Sequence, residues 1–343
     1  MIAASRAFRA VAAALALFIV VAGCERESST TGGGRATTGP SAEGGKIAGP
    51  DGKQITVGFA QVGAESAWRT ANSESIKSEA EKRGVKLNFS DAQQKQENQI
   101  KALRSFIQQK VDVILLAPIV ETGWEPVLKE VKAAGIPVIL SDRRVATEDD
   151  SLYVTFIGSD FIEEGRRAAE WLQKKTNGKA VIAELQGTPG SAPANDRKKG
   201  FEAYIKNHPD MKIVLSQTGE FTRAKGKEVM EVFLKSPQAK DITALYAHND
   251  DMALGAIPAI EAAGRKPGSD ILIVSIDGVR GAFDAMIDGK LNCTVECNPL
   301  IGPQLFDAVE KVVKGETLPK RIEVEEGVFT QEQAKDELPN RKY

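Results

Sequence analysis

Short apolar runs alternate with amphipathic stretches along most of the chain. The amphipathic stretches carry apolar residues at helical spacing and end near Gly or Lys. Continuous apolar strands that alternate with helices are typical of parallel sheets covered on both faces. Two such series follow one another, so we predict an α/β fold with two doubly wound parallel-sheet lobes. The predicted strands are 55–60, 86–92, 111–118, 136–143 and 153–160 in the first series, and 180–187, 211–219, 242–250 and 271–279 in the second.

The front of the chain predicts export and anchoring. Arg6 and Arg9 precede an apolar run at 10–23 that is too short, and too closely followed by polar residues, for a transmembrane helix. We therefore interpret residues 1–23 as a signal peptide. Its end, Val-Ala-Gly-Cys24, resembles the lipobox of bacterial lipoproteins, in which the cysteine is lipidated after cleavage. We expect lipid on Cys24 to tether the protein to a membrane; an ordinary signal peptide that happens to contain a cysteine is the alternative.

Residues 24–50 are rich in Gly, Ser and Thr and hold almost no large apolar residue before Ile47. Such a stretch buries too little to offset its chain entropy, so it predicts a flexible linker. The remaining part of the 343-residue chain is long enough for two domains with their own cores.

Charge and cysteine spacing argue against several functions. A net charge of −2 gives no electrostatic basis for binding nucleic acid. Cys293 and Cys297 lie four apart on a predicted strand, about 13 Å along it, too far for a disulfide. No His or third Cys is near them, so we expect strand residues and no metal site. The chain has no Gly-rich phosphate loop and no His near a Ser or Cys nucleophile, so we expect neither an enzyme nor a cofactor.

Polar side chains and one aromatic ring follow several predicted strands. In open parallel sheets, ligands bind outside the carboxyl ends of the strands. A sugar suits such a set, because its hydroxyls donate and accept and its C–H face packs on a ring. The side chains at these ends are Glu65, Trp68 and Arg69 after the first strand, Asp142 and Arg143 after the fourth, and Asn249 and Asp277 in the second lobe.

Each of these residues also has a structural interpretation. Asp and Asn at strand ends often cap helices, which is the favoured interpretation for Asp250 and Asp251. Trp68, taken alone, is more often a core residue than a platform for a ligand. We interpret His248, just before a strand-end Asn, as structural. The convergence of separate strand ends on one chemistry favours a binding site, in which Trp68 is a platform.

Long blocks of the chain, in order, carry a resemblance to a known family. They include "VGFAQVGAESAWR", "QQKQENQIKALRSF", "TGWEPVLKE", "FTRAKGKEVM", "YAHNDDM" and "SIDGV", and the similarity spans 54 to about 315. The chain resembles the periplasmic sugar-binding proteins of bacterial ABC transporters, of the ribose-binding type, and within them most of all the galactofuranose-binding branch. The resemblance implies a type I periplasmic-binding-protein architecture with a three-strand hinge. One lobe would hold 51–157 plus 279–320, the other 158–278 plus 321–343, and ligand would close them like jaws.

The resemblance also implies a set of ligand contacts. Arg197 enters only in this way, because its neighbours Lys198 and Lys199 indicate a solvated surface. The chain departs from the galactofuranose-binding pattern at Ala67, where Gly is expected, and in the loop "RVATEDD", which leaves room for another monosaccharide. The implied contacts are Glu65, Ser66, Ala67, Trp68, Arg69, Asp142, Arg143, Arg197, Asn249 and Asp277.

From these features we expect an exported, lipid-anchored and monomeric binding protein. It would capture galactofuranose or a related pentose or hexose and deliver it to the permease of an ABC importer. A sensory protein that presents its sugar to a membrane receptor is an alternative that the sequence leaves open. A transcription regulator of the lactose-repressor type would need an N-terminal helix-turn-helix, where this chain has a signal peptide and a linker.

Overall fold

Two six-stranded sheets form the framework of the computed structural model, which describes residues 45–343. The first sheet contains β1 (Thr56–Gln61), β2 (Lys86–Asp91), β3 (Val113–Leu116), β4 (Val138–Ser141), β5 (Thr155–Gly158) and β11 (Arg321–Glu323). The second contains β6 (Ala180–Gln186), β7 (Met211–Thr218), β8 (Ala244–Ala247), β9 (Leu272–Asp277), β10 (Cys293–Glu296) and β12 (Val328–Thr330).

The strand orders are β2-β1-β3-β4-β5-β11 and β7-β6-β8-β9-β10-β12. Every pairing is parallel except that of β10 with β12. All residues of β3, β4, β5 and β8 are buried, as expected for central strands covered on both faces. The predicted α/β fold with two parallel-sheet lobes is confirmed.

Helices cover both sheets, and several begin at the carboxyl ends of strands. Side chains of Ser66, Asp160, Ser191, Thr222 and Asn249 accept a backbone hydrogen bond in the first turn of the helix that follows. None of the helices within 45–343 has the length and apolar character needed to cross a membrane. The α-helices are α1 (Ala67–Lys82), α2 (Gln96–Gln109), α3 (Glu125–Ala133), α4 (Phe161–Thr176), α5 (Ala192–Ile205), α6 (Arg223–Phe233), α7 (Asp250–Ala262), α8 (Arg280–Ile287), α9 (Gly302–Val313) and α10 (Ala334–Glu337). Short 3₁₀ helices span Asp150–Leu152, Ala239–Asp241 and Leu338–Asn340.

The chain passes between the lobes after β5, after β10, and between β11 and β12. The expected boundary at 279 is wrong, because β10 pairs with β9 and β12, and because Phe283 and Met286 of α8 lie in the core of the second lobe. The expected boundary at 320 is also early. β11 still belongs to the first sheet, where Ile322 pairs with Ile157.

The first lobe begins earlier than the predicted linker allows. Ile47 is buried in the first-lobe core, and its backbone N–H donates to the carbonyl of Arg83 at 2.9 Å. Ala48 forms an antiparallel bridge with Gln54. The end of the linker at residue 50 is therefore wrong, while the signal peptide, Cys24 and the linker up to residue 44 lie outside the described residues.

Two glycines allow α4 and α5 to approach each other closely. A Cβ at Gly165 would lie 2.1 Å from the carbonyl oxygen of Arg197, and one at Gly200 would lie 2.0 Å from that of Ile162. Both separations are far below any van der Waals contact. Because α5 lies this close to α4, Arg197 of α5 is buried against α4.

Asp250 joins several segments of the second lobe. We expected Asp250 and Asp251 to cap their own helix, but Asn249 is the N-cap of α7. The carboxylate of Asp250 instead accepts hydrogen bonds from Ser275 Oγ at 2.5 Å and Thr294 Oγ1 at 2.8 Å, and from the N–H groups of Gly278 and Val279 at 2.8 Å each. Burial raises the pKa of Asp250 to about 6, although these hydrogen bonds favour its ionised form.

We expect Asp250→Ala to lower the free energy of unfolding by at least about 2 kcal/mol, because it leaves buried donors of β9, β10 and the turn between β9 and α8 without an acceptor. Chemical denaturation measures the loss. The matched control is Asp284→Ala, because Asp284 is an exposed residue of the same lobe. Equal stability of the two variants would contradict the role assigned to Asp250.

Candidate functional site

A cavity lies between the carboxyl ends of the two sheets. Its walls come from both lobes, which is where ligands bind in parallel α/β sheets. Ala67 and Asn249 of the predicted set do not line it, whereas three residues that sequence reasoning missed do. The lining residues are Glu65, Ser66, Trp68, Arg69, Asp142, Arg143, Pro193, Arg197, Phe221, Asp277 and Cys297.

The first-lobe wall is built around Arg69 in the first turn of α1. Ser66 caps this helix through its Oγ, which accepts from the Arg69 N–H at 3.1 Å. The Arg69 guanidinium donates to Glu65 Oε1 at 3.0 Å and to Asp142 Oδ2 at 2.8 Å. Burial lowers the pKa of Arg69, but the charges and hydrogen bonds of Asp142 and Glu65 outweigh it, so the pKa stays above its ordinary value.

Arg143 is paired less completely. Its Nη1 donates to the carbonyl of Ile119 at 3.3 Å, while its Nε lies 3.5 Å from Asp142 Oδ2 without a hydrogen bond. Burial, and next the charge of Arg69, lower the pKa of Arg143 to about 10, so it is still a cation at neutral pH. Glu65 Oε2 is likewise buried without a donor. This wall therefore holds one unused donor and one unused acceptor.

The second-lobe wall is built around Arg197 on α5. Its Nε donates to Glu164 Oε2 at 2.7 Å, its Nη1 donates to the carbonyl of His248 at 2.7 Å, and its Nη2 lies 3.7 Å from Asp277 Oδ1. Burial lowers the pKa of Arg197, but its carboxylate neighbours raise it well above the ordinary value. Burial raises the pKa of Asp277 well above its usual range, and Arg197 only partly offsets this. His248 itself is fully buried beside Glu184, which agrees with a structural role.

Three lining residues adopt left-handed backbone conformations. The φ angles are 64° at Asp142, 64° at Phe221 and 135° at Asp277. Residues other than glycine rarely adopt positive φ angles, and such backbone strain is concentrated at functional sites. Asp142 directly follows β4 and Asp277 is the last residue of β9, so the strained backbone sets the direction of each carboxylate.

Phe221 is the main lining residue that the sequence analysis missed. Its ring lies 5.5 Å from Arg143 Cζ and 5.9 Å from Arg197 Cζ. It packs over Gly187, where a Cβ would lie 1.9 Å from the ring. The available signal was its position shortly after the strand predicted at 211–219, at the same end of the sheet as the other site residues.

Asn249 acts on the site through Phe221. Its Oδ1 caps α7 by accepting from the Met252 N–H at 3.0 Å, and its Nδ2 donates to the Phe221 carbonyl at 3.1 Å. Both polar atoms of its side-chain amide therefore form hydrogen bonds within the second lobe. Asn249 supports the loop that carries the aromatic ring and does not itself line the cavity.

Trp68 is a core residue that also lines the cavity, and its role as a platform for the ligand stays a prediction. It lines the cavity, yet it is only 5 % exposed and packs into the core of the second lobe although it belongs to α1 of the first. Its Nε1 donates to the carbonyl of Cys297 at 2.5 Å. Trp68 therefore joins the lobes as well as forming a wall.

Further hydrogen bonds between the lobes show that the structure is a closed form. The N–H of Ala67 donates to Asp251 Oδ2 at 2.7 Å, so Asp251 caps the helix of the opposite lobe. On the other side of the cavity Asn195 Nδ2 donates to Glu121 Oε2 at 2.6 Å. Arg144, in the loop that departs from the family pattern, forms an ion pair with Asp196. These contacts enclose the cavity.

One group of side chains has the chemistry of metal ligands. Carboxylate oxygens of Glu164 and Glu326 and the Cys297 thiol lie within 4.8 Å of one another. The guanidinium of Arg197 already neutralises Glu164, and burial raises the pKa of the Cys297 thiol well above its usual range. A buried cation and a protonated thiol oppose a metal ion, so we do not assign one here.

The chain is similar to known proteins over most of its length. A family model described as a periplasmic binding protein domain matches residues 57–317. The galactofuranose-binding protein YtfQ of Escherichia coli (strain K12) is 54% identical over 291 residues, which cover 84% of this chain and 92% of that protein. The fructose import binding protein FruE of Bifidobacterium longum (strain NCC 2705) is 33% identical over 335 residues, 96% of each chain.

The chain is also similar to solved structures of sugar-binding proteins. The periplasmic binding protein of the arabinose ABC transporter from Shewanella sp. ANA-3, bound to α- and β-L-arabinofuranose, is 58% identical, with a TM-score of 0.82 and coverage of 84% of this chain and 96% of that one. A Mycobacterium smegmatis structure in complex with β-D-fucofuranose is 57% identical, with a TM-score of 0.82 and coverage of 84% of this chain and 95% of that one. The chain therefore belongs to the periplasmic binding protein family.

Proposed function

We propose that the protein binds one monosaccharide in the cavity between its lobes and delivers it, chemically unchanged, to an ABC importer. The observation that carries this proposal is the pair of unused polar atoms in the first-lobe wall, Glu65 Oε2 and Arg143 Nε. A sugar hydroxyl both donates and accepts, so a single hydroxyl between them would satisfy an acceptor and a donor. Asp277, whose carboxylate makes only a long contact with Arg197, offers a second polar group on the opposite wall.

The walls of the cavity suit a sugar. Trp68 and Phe221 provide apolar surface for C–H groups, and the arginines and carboxylates provide fork-shaped and bidentate partners.

The ring form that we propose is the furanose. Similar proteins are described as binding galactofuranose, L-arabinofuranose and β-D-fucofuranose. These sugars are chemically related, because D-fucose lacks only the 6-hydroxyl of D-galactose and L-arabinose lacks its C6 group. The shared part is the configuration of the ring carbons. We infer that this chain recognises that ring and is more tolerant of the exocyclic group.

The remaining parts of the proposal concern location and partners. We propose that lipid on Cys24 anchors the exported protein, which acts as a monomer and transfers sugar to a permease in the membrane. Support comes from the lipobox-like sequence and from family members that are described as import binding proteins. The relatives cited here are binding proteins, in agreement with a protein that has no catalytic role.

A panel of sugars tests the proposal directly. We expect isothermal titration to show one-to-one binding of D-galactose, L-arabinose and D-fucose, each raising the thermal unfolding temperature. D-Galactose blocked at O4 cannot close a five-membered ring, so we expect it to bind at least about tenfold more weakly. That corresponds to about 1.4 kcal/mol.

The outcomes separate the class of ligand from its ring form. Absence of heat and of thermal shift with every sugar would contradict sugar binding. Equal affinity for the O4-blocked sugar would leave sugar binding intact but would show that the six-membered ring is recognised.

Two substitutions at Asn249 separate support of the loop from capping. Serine keeps an N-cap oxygen but cannot reach the Phe221 carbonyl, so we expect Asn249→Ser to lose only the stability that this buried hydrogen bond provides and to bind sugar more weakly. Asn249→Ala removes both bonds and should also lose about 1 kcal/mol of stability. Denaturation and titration of both variants measure this. Unchanged affinity in both would show that Asn249 has no part in placing Phe221.

A further inference from the structure

The three segments that connect the lobes meet at one buried group of side chains, which we call the hinge cluster: Ser159, Glu164, Cys297 and Glu326. Ser159 follows β5, Cys297 follows β10, and Glu326 lies between β11 and β12. Glu164 lies on α4 beside them. The cluster therefore contains one residue from each crossing and one from the second lobe.

Hydrogen bonds of Glu326 tie the crossings together. Its Oε1 accepts from Ser159 Oγ and from the Asn298 N–H at 2.9 Å, and its backbone carbonyl accepts from Arg167 Nη1 at 2.8 Å. Ser159 Oγ also lies 3.5 Å from Cys297 Sγ. A change in the angle between the lobes would have to move or break these bonds.

The charges around the cluster do not balance if every carboxyl is ionised. Arg197 is paired with Glu164 at 2.7 Å and lies 3.7 Å from Asp277. Among the ion pairs of residues 45–343 none includes the carboxylate of Glu326. The nearby cation Arg167 donates to the backbone carbonyl of Glu326 and not to its side chain. The other charged or titratable groups that face the cluster are Arg167 on α4, Arg197 on α5, Asp277 at the end of β9 and Arg321 on β11.

One unpartnered atom indicates where a proton lies. Glu164 is 1% exposed, and its Oε1 has no donor, while its Oε2 is held by Arg197. A carboxylate oxygen of Glu326 and the Cys297 thiol both lie within 4.8 Å of a carboxylate oxygen of this side chain. A protonated Glu326 would supply the donor that Glu164 Oε1 lacks. Burial, and next the charge of Glu164, raise the pKa of Glu326 well above its usual range, which agrees with this arrangement.

We propose that Glu164 and Glu326 share one proton in the closed form, that this pair holds Arg197 against the cavity, and that closure on the sugar therefore takes up a proton. The inference rests on the proposed function. Trp68 and the ligand shield the cluster when the lobes close, because Trp68 contacts Cys297 and Cys297 lines the cavity. Opening admits water to this side and returns Glu326 towards its ordinary acidity.

The sign of the pH dependence follows from linkage. Glu326 binds its proton more tightly in the closed form, so its contribution to closure is complete below the ordinary glutamate pKa. That contribution is lost as the pH rises through the raised pKa. We expect the sugar Kd to increase with pH across this window by up to about tenfold per pH unit, which is the limit for one proton.

The experiment is sugar titration of the full chain at several pH values, in buffers that differ in ionisation enthalpy. The heat difference between buffers counts the protons taken up. We expect the parent to take up more protons than Glu326→Gln, whose amide keeps the acceptor for Ser159 and donates to Glu164 at every pH. The Kd of this variant should also depend less on pH than that of the parent. The control is Glu325→Gln, an exposed neighbour that should behave as the parent does.

A second measurement needs no sugar and separates this inference from the proposed function. In thermal unfolding, the parent should lose stability relative to Glu326→Gln as the pH rises above the ordinary glutamate pKa, because the folded carboxyl holds its proton more tightly than the unfolded one. Sugar binding without proton uptake in the parent would overturn the coupling. Identical pH dependence of unfolding in the two proteins would overturn the shared proton, even if none of the sugars binds.

Discussion

The structure depends on neutralising buried charge in the cleft. Three guanidinium groups face the cavity, each no more than 3% exposed, and a buried cation without a partner would cost several kcal/mol. Each lobe supplies a carboxylate partner for its own arginine. Arg69 is paired with Asp142 in the first lobe, and Arg197 is paired with Glu164 in the second. Arg69 and Arg197 are thus each paired before the lobes meet. The unpaired atoms that remain in the first-lobe wall, Glu65 Oε2 and Arg143 Nε, are one acceptor and one donor, which the hydroxyl groups of a neutral sugar can satisfy.

Balance within each lobe also makes the walls rigid. Arg197 is held by a carboxylate on α4 and by a backbone carbonyl after β8, and the glycine contacts fix α5 against α4. Phe221 is held by Gly187 below it and by the Asn249 amide. Binding can then proceed with little rearrangement inside either lobe. The conformational entropy lost on binding is therefore mainly that of the closure motion between the lobes.

Much of this architecture could be predicted from the sequence, for a physical reason. Alternating apolar strands and helices fix two parallel sheets, and parallel sheets bring strand ends to one edge, so Asp142 and Asp277 could be predicted. Arg197 could not be derived from its own surroundings, because the helix contact that buries it depends on Gly165 and Gly200 and leaves no periodic signal. The structure moves the lobe boundaries because β10 pairs with β9 and β11 pairs with β5, and local pattern does not reveal these pairings.

We infer that the site is complete only when the lobes close. Spin labels on exposed residues of opposite lobes test this inference, with Glu148→Cys and Lys199→Cys in a chain carrying Cys24→Ser, since both remaining cysteines are buried. Electron–electron double resonance then measures the distance between the labels. We expect a longer, broader distribution of distances without sugar and a single shorter distance with L-arabinose. An unchanged distribution at saturating sugar would contradict closure of the lobes on the ligand.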